Sequence, residues 1–393
     1  MESINFTPQP FLAKIGTTVF TVMSALAAKH GAVNLGQGFP DFDCSPELVH
    51  AVTDAMAQGR NQYPPMAGVP LLRQAIAAKI HALHDQDYSA DTEITVTAGA
   101  TQAIITAILA VVHAGDEVIV LDPCYDSYVP NIELAGGIPV RVPLGAGEAA
   151  GDFRPDFEKI AQAITSKTRA ILINSPHNPG GTVWTAAEML QLQAILEPTN
   201  IIVISDEVYE HMVFDGEQHQ SAARFPGLAA RAFIVSSFGK TYSVTGWKVG
   251  YVAAPAALTE GFRKVHQFNV FTVNTPMQHG LATYMSDANP YLTLSAFYQR
   301  KRDLFRAGLA KTRFRLLPSE GTYFQCVDYS ALNVPERHLN EAEFCKWLTT
   351  KVGVAAIPLS AFYGNGLEQG VVRFCFAKKD ETLNMALQRL AGL

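Results

Sequence analysis

The stretch Ser236-Ser237-Phe238-Gly239-Lys240-Thr241-Tyr242-Ser243-Val244-Thr245-Gly246-Trp247-Lys248-Val249-Gly250-Tyr251 decides how this chain is read. It continues Ala232 to Val235, a short apolar run that reads as a buried strand. A lysine is thereby delivered just past a strand end, among small hydroxyl and glycine residues, with a second lysine eight positions on. That setting suits a catalytic amine, because a neighbouring cation disfavours the ammonium form of Lys240 and favours a Schiff-base nucleophile. Taken alone, the same lysine reads as a solvated loop residue, since lysines are mostly exposed. The residues at the other strand ends change that balance.

Comparable apolar runs recur at 94–97, 118–121, 139–142, 170–174, 201–205, 233–236 and 249–253, with helical stretches such as 101–113 and 186–197 between them. Continuous apolar runs alternating with helices predict an α/β domain with a mostly parallel seven-stranded sheet and helices on both faces. The last run follows Gly246 too closely for a crossover helix, so it is expected to lie antiparallel to its neighbour. Beyond about Pro290 the pattern becomes a long helix at 291–312, runs at 314–317 and 321–327, a helix at 341–351, and runs at 354–357 and 371–376. This reads as a smaller α+β domain. The expected organisation is an N-terminal arm over 1–45 packing with the small domain, a large domain over 46–290 and the small domain over 291–393.

At 393 residues the chain is long for a single core. Its 48% hydrophobic and 17% charged residues describe a globular protein. A net charge of −6 without a basic block argues against nucleic-acid binding. Five scattered cysteines, Cys44, Cys124, Cys326, Cys345 and Cys375, include no CxxC pair, so neither a disulfide framework nor a zinc site is expected and a cytoplasmic setting fits. The uncharged segment 15–28 after Lys14 loosely resembles a signal peptide, but three threonines and a serine interrupt it. An amphipathic helix facing inward with Phe20, Met23 and Ala27, or with Val19, Val22 and Leu26, accounts for it better. No run approaches the roughly 20 apolar residues that cross a bilayer.

Ligands of open α/β sheets sit beyond the carboxyl ends of the strands. There the chain places Gly99-Ala100-Thr101, a helix start with free N–H groups and a positive dipole end for an anion. It places the rigid turn Ser175-Pro176-His177-Asn178-Pro179-Gly180-Gly181, which presents Asn178. It places Asp206-Glu207-Val208-Tyr209, where an acid ending so apolar a strand must find a partner. With Lys240 these make an amine, a carboxylate, a phenol, an amide and an anion cradle. Together they answer the needs of pyridoxal 5′-phosphate, although each has an ordinary structural explanation by itself.

The motifs Asn34-Leu35-Gly36-Gln37-Gly38-Phe39-Pro40-Asp41-Phe42, Asn61-Gln62-Tyr63, Ser205-Asp206-Glu207-Val208-Tyr209, Ser237-Phe238-Gly239-Lys240-Thr241 and Val372-Arg373-Phe374-Cys375-Phe376 span nearly the whole chain. Through them the sequence resembles the aspartate-aminotransferase superfamily, fold type I of the pyridoxal-phosphate enzymes. Within it, the nearest resemblance is to the branch of bacterial methionine aminotransferase and the kynurenine/glutamine transaminases. The resemblance implies that Lys240 binds the cofactor aldehyde and shuttles the proton, while Asp206 pairs with the ring nitrogen. Tyr209 and Asn178 would hold the ring phenolate, and Tyr125 would stack on the ring. Gly99, Ala100, Thr101, Ser237 and Lys248 would hold the phosphate. Tyr63 would reach the phosphate of a second subunit, making the active unit a homodimer.

For the substrate, the resemblance implies Phe20, Gly38, Asn178 and Arg373, with Arg373 gripping the α-carboxylate through a planar fork. No motif for a second, distal arginine is present, and Phe20, Tyr63, Tyr125, Phe271 and Phe362 suggest an apolar, aromatic-lined pocket. Thr272 stands where the mammalian kynurenine branch carries histidine. The expected reaction moves the amino group of methionine and other large neutral or aromatic amino acids to a 2-oxo acid. Kynurenine/glutamine transamination and β-lysis of cysteine S-conjugates are the alternatives. A nucleotide-binding oxidoreductase is disfavoured because Ala98-Gly99-Ala100-Thr101-Gln102-Ala103 lacks the Gly-x-Gly-x-x-Gly turn.

Overall fold

The computed structural model describes residues 16–145 and 151–393; Ile15 of the expected N-terminal helix, and Lys14 before it, lie outside the described residues. That helix begins at Val19, where Thr18 caps it by accepting from the Thr21 N–H, and runs to His30. Its inward side is the Phe20, Met23 and Ala27 face: Met23 and Ala27 are buried while Val22 is exposed. The chain then forms β1 (Val33–Asn34), β2 (Ile94–Thr97), β3 (Glu117–Asp122), β4 (Ile138–Pro143), β5 (Thr168–Asn174), β6 (Ile202–Asp206), β7 (Ala232–Ser237) and β8 (Gly250–Ala253).

Strands β2 to β8 make one seven-stranded sheet in the order β2-β8-β7-β6-β5-β3-β4. Only β8 opposes its neighbours, pairing antiparallel with both β2 and β7, as its short connection to β7 requires. The central strands are apolar on both faces because helices cover both. The helix Gly99–Val111 packs Ile104, Ala107 and Ile108 against one side of the sheet. The other side joins a core that continues through Trp184, Leu192, Phe225 and Tyr251.

A four-stranded sheet follows, built from β9 (Arg315–Leu316), β10 (Phe324–Asp328), β12 (Ile357–Pro358) and β13 (Val371–Cys375) in the order β12-β13-β10-β9. The remaining strand, β11 (Val354–Ala355), pairs parallel with β1, so the N-terminal segment is hydrogen-bonded to the C-terminal third.

Two local expectations change. The run 354–357 divides at Ala356 because its halves pair with different strands, β1 and β13. The helix expected at 291–312 is two, Asn289–Leu292 and Leu294–Leu309, joined at Thr293. Beyond β6, Tyr209-Glu210-His211-Met212 forms successive turns closed by Glu210 N to Glu207 O at 2.9 Å and Met212 N to Tyr209 O at 2.8 Å. There Glu210 is buried against Lys79 Nζ at 2.7 Å and Tyr251 Oη at 3.1 Å. A buried carboxylate must keep such partners, and this fixes the turn instead of a helix.

Candidate active site

Strands β2, β3, β5, β6 and β7 are mutually parallel, so their carboxyl ends share one edge of the sheet. Strand β8 starts at that same edge, which brings in Lys248 just ahead of it. Gly99, Ala100, Thr101, Tyr125, Asn178, Asp206, Tyr209, Ser237, Lys240 and Lys248 thereby line a single cleft with a cavity of ≈ 190 Å³. Tyr63 is not among them; it is 82% exposed and meets Phe271 edge-on at 5.3 Å.

One end of the cleft is an anion cradle. The helix Gly99–Val111 has Ala98 at its N-cap and no side-chain cap, so its first N–H groups are free for a ligand. Gly99 sits at φ +78°, and a Cβ there would come to 3.4 Å from Lys248 Nζ. Glycine thus lets the backbone take the left-handed turn while the lysine closes over it.

At the floor lies Asp206, whose Oδ2 accepts from Tyr128 Oη at 2.6 Å. Its backbone carbonyl accepts from Asn174 Nδ2 at 2.9 Å, and Asn174 Oδ1 in turn holds the Asn178 N–H at 2.8 Å. Burial pushes the Asp206 carboxyl up to about 6, against the opposing hydrogen bond from Tyr128 and the charge of Lys240. A cation placed beside it would return it to the carboxylate form, as a protonated ring nitrogen would.

Lys240 stands in the short helix Phe238–Thr241, half-buried between the cleft and β10. Burial pushes its ammonium down to about 8; Cys375 and Asp206 favour the charged form, while Arg373 and Lys248 disfavour it. The sequence pointed to Lys248 as the activating neighbour, but burial is the larger cause and Arg373 outranks Lys248. Only a neutral amine attacks an aldehyde. Uptake of pyridoxal phosphate by the cofactor-free protein is therefore expected to accelerate as pH rises through about 8 and to level off above it. Stopped-flow absorbance measures this, and a rate with no inflection near that midpoint would contradict it.

Arg373 sits on β13, inside the four-stranded sheet rather than at its edge, and is 1% exposed. One terminal nitrogen donates to Asn178 Oδ1 at 2.5 Å and the other to Gly36 O at 3.5 Å, whereas Nε is buried without a partner. Among the described residues it forms no ion pair with an acid. Its guanidinium lies 3.8 Å over Phe324, 4.9 Å over Phe362 and 5.5 Å over Phe20. Phe20 and Phe362 therefore stand where an aromatic pocket was expected, while Tyr63 and Phe271 pair with each other away from it. Gly38 fits closely: a Cβ there would lie 3.0 Å from Phe324 Cζ.

Tyr128, Asn174, Tyr323 and Phe324 were not foreseen. Aromatic residues in apolar runs carry the same signal as core packing, and Asn174 looked like the end of a strand.

The family model "Aminotransferase class I and II" matches residues 30–390. The chain belongs to this family. Over 387 residues this aminotransferase is 49% identical to methionine aminotransferase of Escherichia coli, covering 98% of each chain. It is 36% identical to kynurenine–oxoglutarate transaminase of Dictyostelium discoideum, covering 100% of this chain and 98% of the relative. An Escherichia coli structure with an identified methionine aminotransferase function superposes with a TM-score of 0.94 at 49% identity, covering 99% of this chain and 100% of that one. N-succinyldiaminopimelate aminotransferase of Mycobacterium tuberculosis gives 0.92 at 42% identity, covering 98% and 100%. The fold is that of the fold type I enzymes, and the protein is a pyridoxal-phosphate-dependent transaminase acting on amino acids and 2-oxo acids. The uncapped helix end beside Lys248, the buried acid and the half-buried amine fit that cofactor. Among the described residues no helix is long and apolar enough to cross a membrane, and no group of three or more His, Cys, Asp or Glu side chains is placed to hold a metal.

Proposed function

We propose that this aminotransferase moves the amino group of methionine and other large neutral or aromatic L-amino acids to a 2-oxo acid. The observation that carries the substrate class is Arg373: a buried guanidinium with an unpartnered Nε, no ion pair with an acid among the described residues, and phenylalanines around it. A buried cation without a counter-ion is costly, and an incoming α-carboxylate relieves that cost. The neighbouring rings favour an apolar side chain. The likeness to methionine aminotransferase agrees with this.

Bound pyridoxal phosphate supplies an aldehyde for the amino group and a ring that accepts electrons. The chain's residues do the rest. Lys240 Nζ anchors the cofactor, then takes and returns the substrate's Cα proton. Asp206 holds a proton on the ring nitrogen, and Tyr209 and Asn178 donate to the ring oxygen. Tyr125 covers a face of the ring. Gly99, Ala100, Thr101, Ser237 and Lys248 hold the phosphate.

The exposed Tyr63–Phe271 pair supports a homodimer in which Tyr63 reaches a second copy's phosphate. Five free cysteines support a reducing, cytoplasmic setting. The separate sheets support the division into 46–290 and 291–393, and the β1–β11 pairing supports an arm over 1–45 that joins the small domain.

Visible absorption of the purified enzyme tests the substrate reading. L-Methionine without an acceptor is expected to bleach the cofactor band, and L-aspartate to leave it nearly intact. Equal bleaching by aspartate would refute the neutral-substrate reading.

A further inference from the structure

Tyr323 reaches the active-site lysine from the C-terminal third of the chain. It follows Thr322, a fully buried β-branched residue held at φ +67°. Such residues avoid the left-handed region, and one persists there only where its surroundings over-determine it. Here Thr322 N donates to Met212 O at 2.9 Å, and Tyr323 O accepts from Phe376 N at 2.9 Å. The ring is fully buried and meets Tyr209 at 5.2 Å, Tyr298 at 5.7 Å and Phe324 at 4.9 Å.

The phenol has one hydrogen, and Gly38 O accepts it at 2.5 Å. Its oxygen is therefore left to accept, and Lys240 Nζ donates to it at 2.9 Å. Nζ also donates to Gly38 O at 3.1 Å. Burial and the neighbouring Tyr209 phenol hold the Tyr323 phenol well above its ordinary value, so it remains protonated, and Gly38 O, which can only accept, takes a hydrogen from it.

We propose that Tyr323 is a further catalytic residue. With the Gly38 carbonyl it accepts from one side of the neutral Lys240 amine, which turns the rest of the nitrogen, lone pair included, toward the cleft that Lys240 lines. The amine is thus aimed at the proton it must take whenever it is not covalently engaged. This rests on the proposed role of Lys240. The other charged or titratable groups that act on Lys240 are Cys375, Arg373, Asp206 and Lys248, and the Tyr209 ring lies 5.7 Å from Nζ.

The test is Tyr323→Phe in the full-length holoenzyme with the cofactor in its amine form, where Lys240 is free. Lys240 labelling by cyanate, read by peptide mass spectrometry against pH, is expected to shift its midpoint down by about one unit, because an acceptor stabilises the ammonium more than the amine. Turnover is expected to fall about tenfold to a hundredfold with KM little changed, and the isotope effect with Cα-deuterated amino acid to rise. Tyr323→His restores an acceptor and is expected to recover part of kcat, which a packing role does not predict. Tyr298→Phe, a buried phenol of the same cluster, is expected to change neither readout.

An unshifted midpoint with normal kcat in Tyr323→Phe, beside an inactive Lys240→Ala, would overturn this inference and leave the site assignment standing. Turnover retained by Lys240→Ala would overturn the site assignment itself. An unfolded Tyr323→Phe protein would mark the hydroxyl as structural and also overturn the inference.

Discussion

Lys240→Ala is expected to fold normally and to lose transamination by at least about 10⁴-fold, the combined loss of a covalent anchor and a general base. The other lysine of the cleft, Lys248, closes over Gly99 at the anion cradle and cannot substitute. Stability should move the opposite way. The Lys240 ammonium falls from 10.5 to about 8 on burial, so between those values the unfolded chain binds more protons than the folded one. Stability contributed at this site therefore rises with pH over that interval, and below about 8 the folded state bears the full cost of a desolvated ammonium. Cofactor-free Lys240→Ala is thus expected to melt higher than the cofactor-free parent below pH 8, with the difference shrinking as pH rises toward 10.5. Thermal unfolding at several pH values, beside steady-state rates, measures both effects. Near-normal turnover would remove Lys240 from the chemistry; a variant that melts lower at neutral pH would show that the side chain packs more than it strains.

The parts of this site that were legible in the sequence share one physical cause. Parallel strands buried on both faces read as unbroken apolar runs, so 118–121 locates β3 and 170–174 locates β5. Once the strands are located, the residues just beyond them are candidates, and Asp206, Asn178 and Lys240 stand out because polar groups there need partners. Arg373 was legible through a motif, but its unpartnered Nε and stacked phenylalanines depend on four segments distant in sequence. Tyr323 was invisible for a different reason. A tyrosine beside Phe324 reads as core, and it is core; only the path of Thr322 through a left-handed turn, and the Gly36-Gln37-Gly38 segment meeting it, give its oxygen a second use. The split at Ala356 has the same character, since no local property of 354–357 tells which half pairs with β1. The cause of the Lys240 shift was misjudged because the sequence shows neighbours along the chain, whereas burial and Arg373 arrive from elsewhere in the fold.

Arg373→Ala is expected to lower kcat/KM by about 30-fold to 4,000-fold, from the 2–5 kcal/mol that truncating a buried, hydrogen-bonded ion pair costs at about 1.4 kcal/mol per tenfold. Most of the loss should appear as a higher KM, and for amino acid and 2-oxo acid alike, because both carry the carboxylate that the guanidinium holds. Arg373→Lys should recover only part of it, since an ammonium cannot reproduce the planar fork. Truncation also removes the packing over Phe324, so alanine alone does not separate charge from shape. Arg373→Met does, because it keeps a long apolar side chain against Phe324, Phe362 and Phe20 while deleting the fork. In the absence of substrate the methionine variant is expected to match or exceed the parent in thermal stability, because it no longer buries a cation that has no ion pair among the described residues. Its KM for both substrates should nevertheless rise with that of alanine. If KM stayed at the parent value for both substrates, the carboxylate role would fall. If instead the substrate-free methionine variant melted well below the parent, the hydrogen bond to Asn178 would be satisfying the guanidinium without any ligand, and the argument from its missing counter-ion would fail.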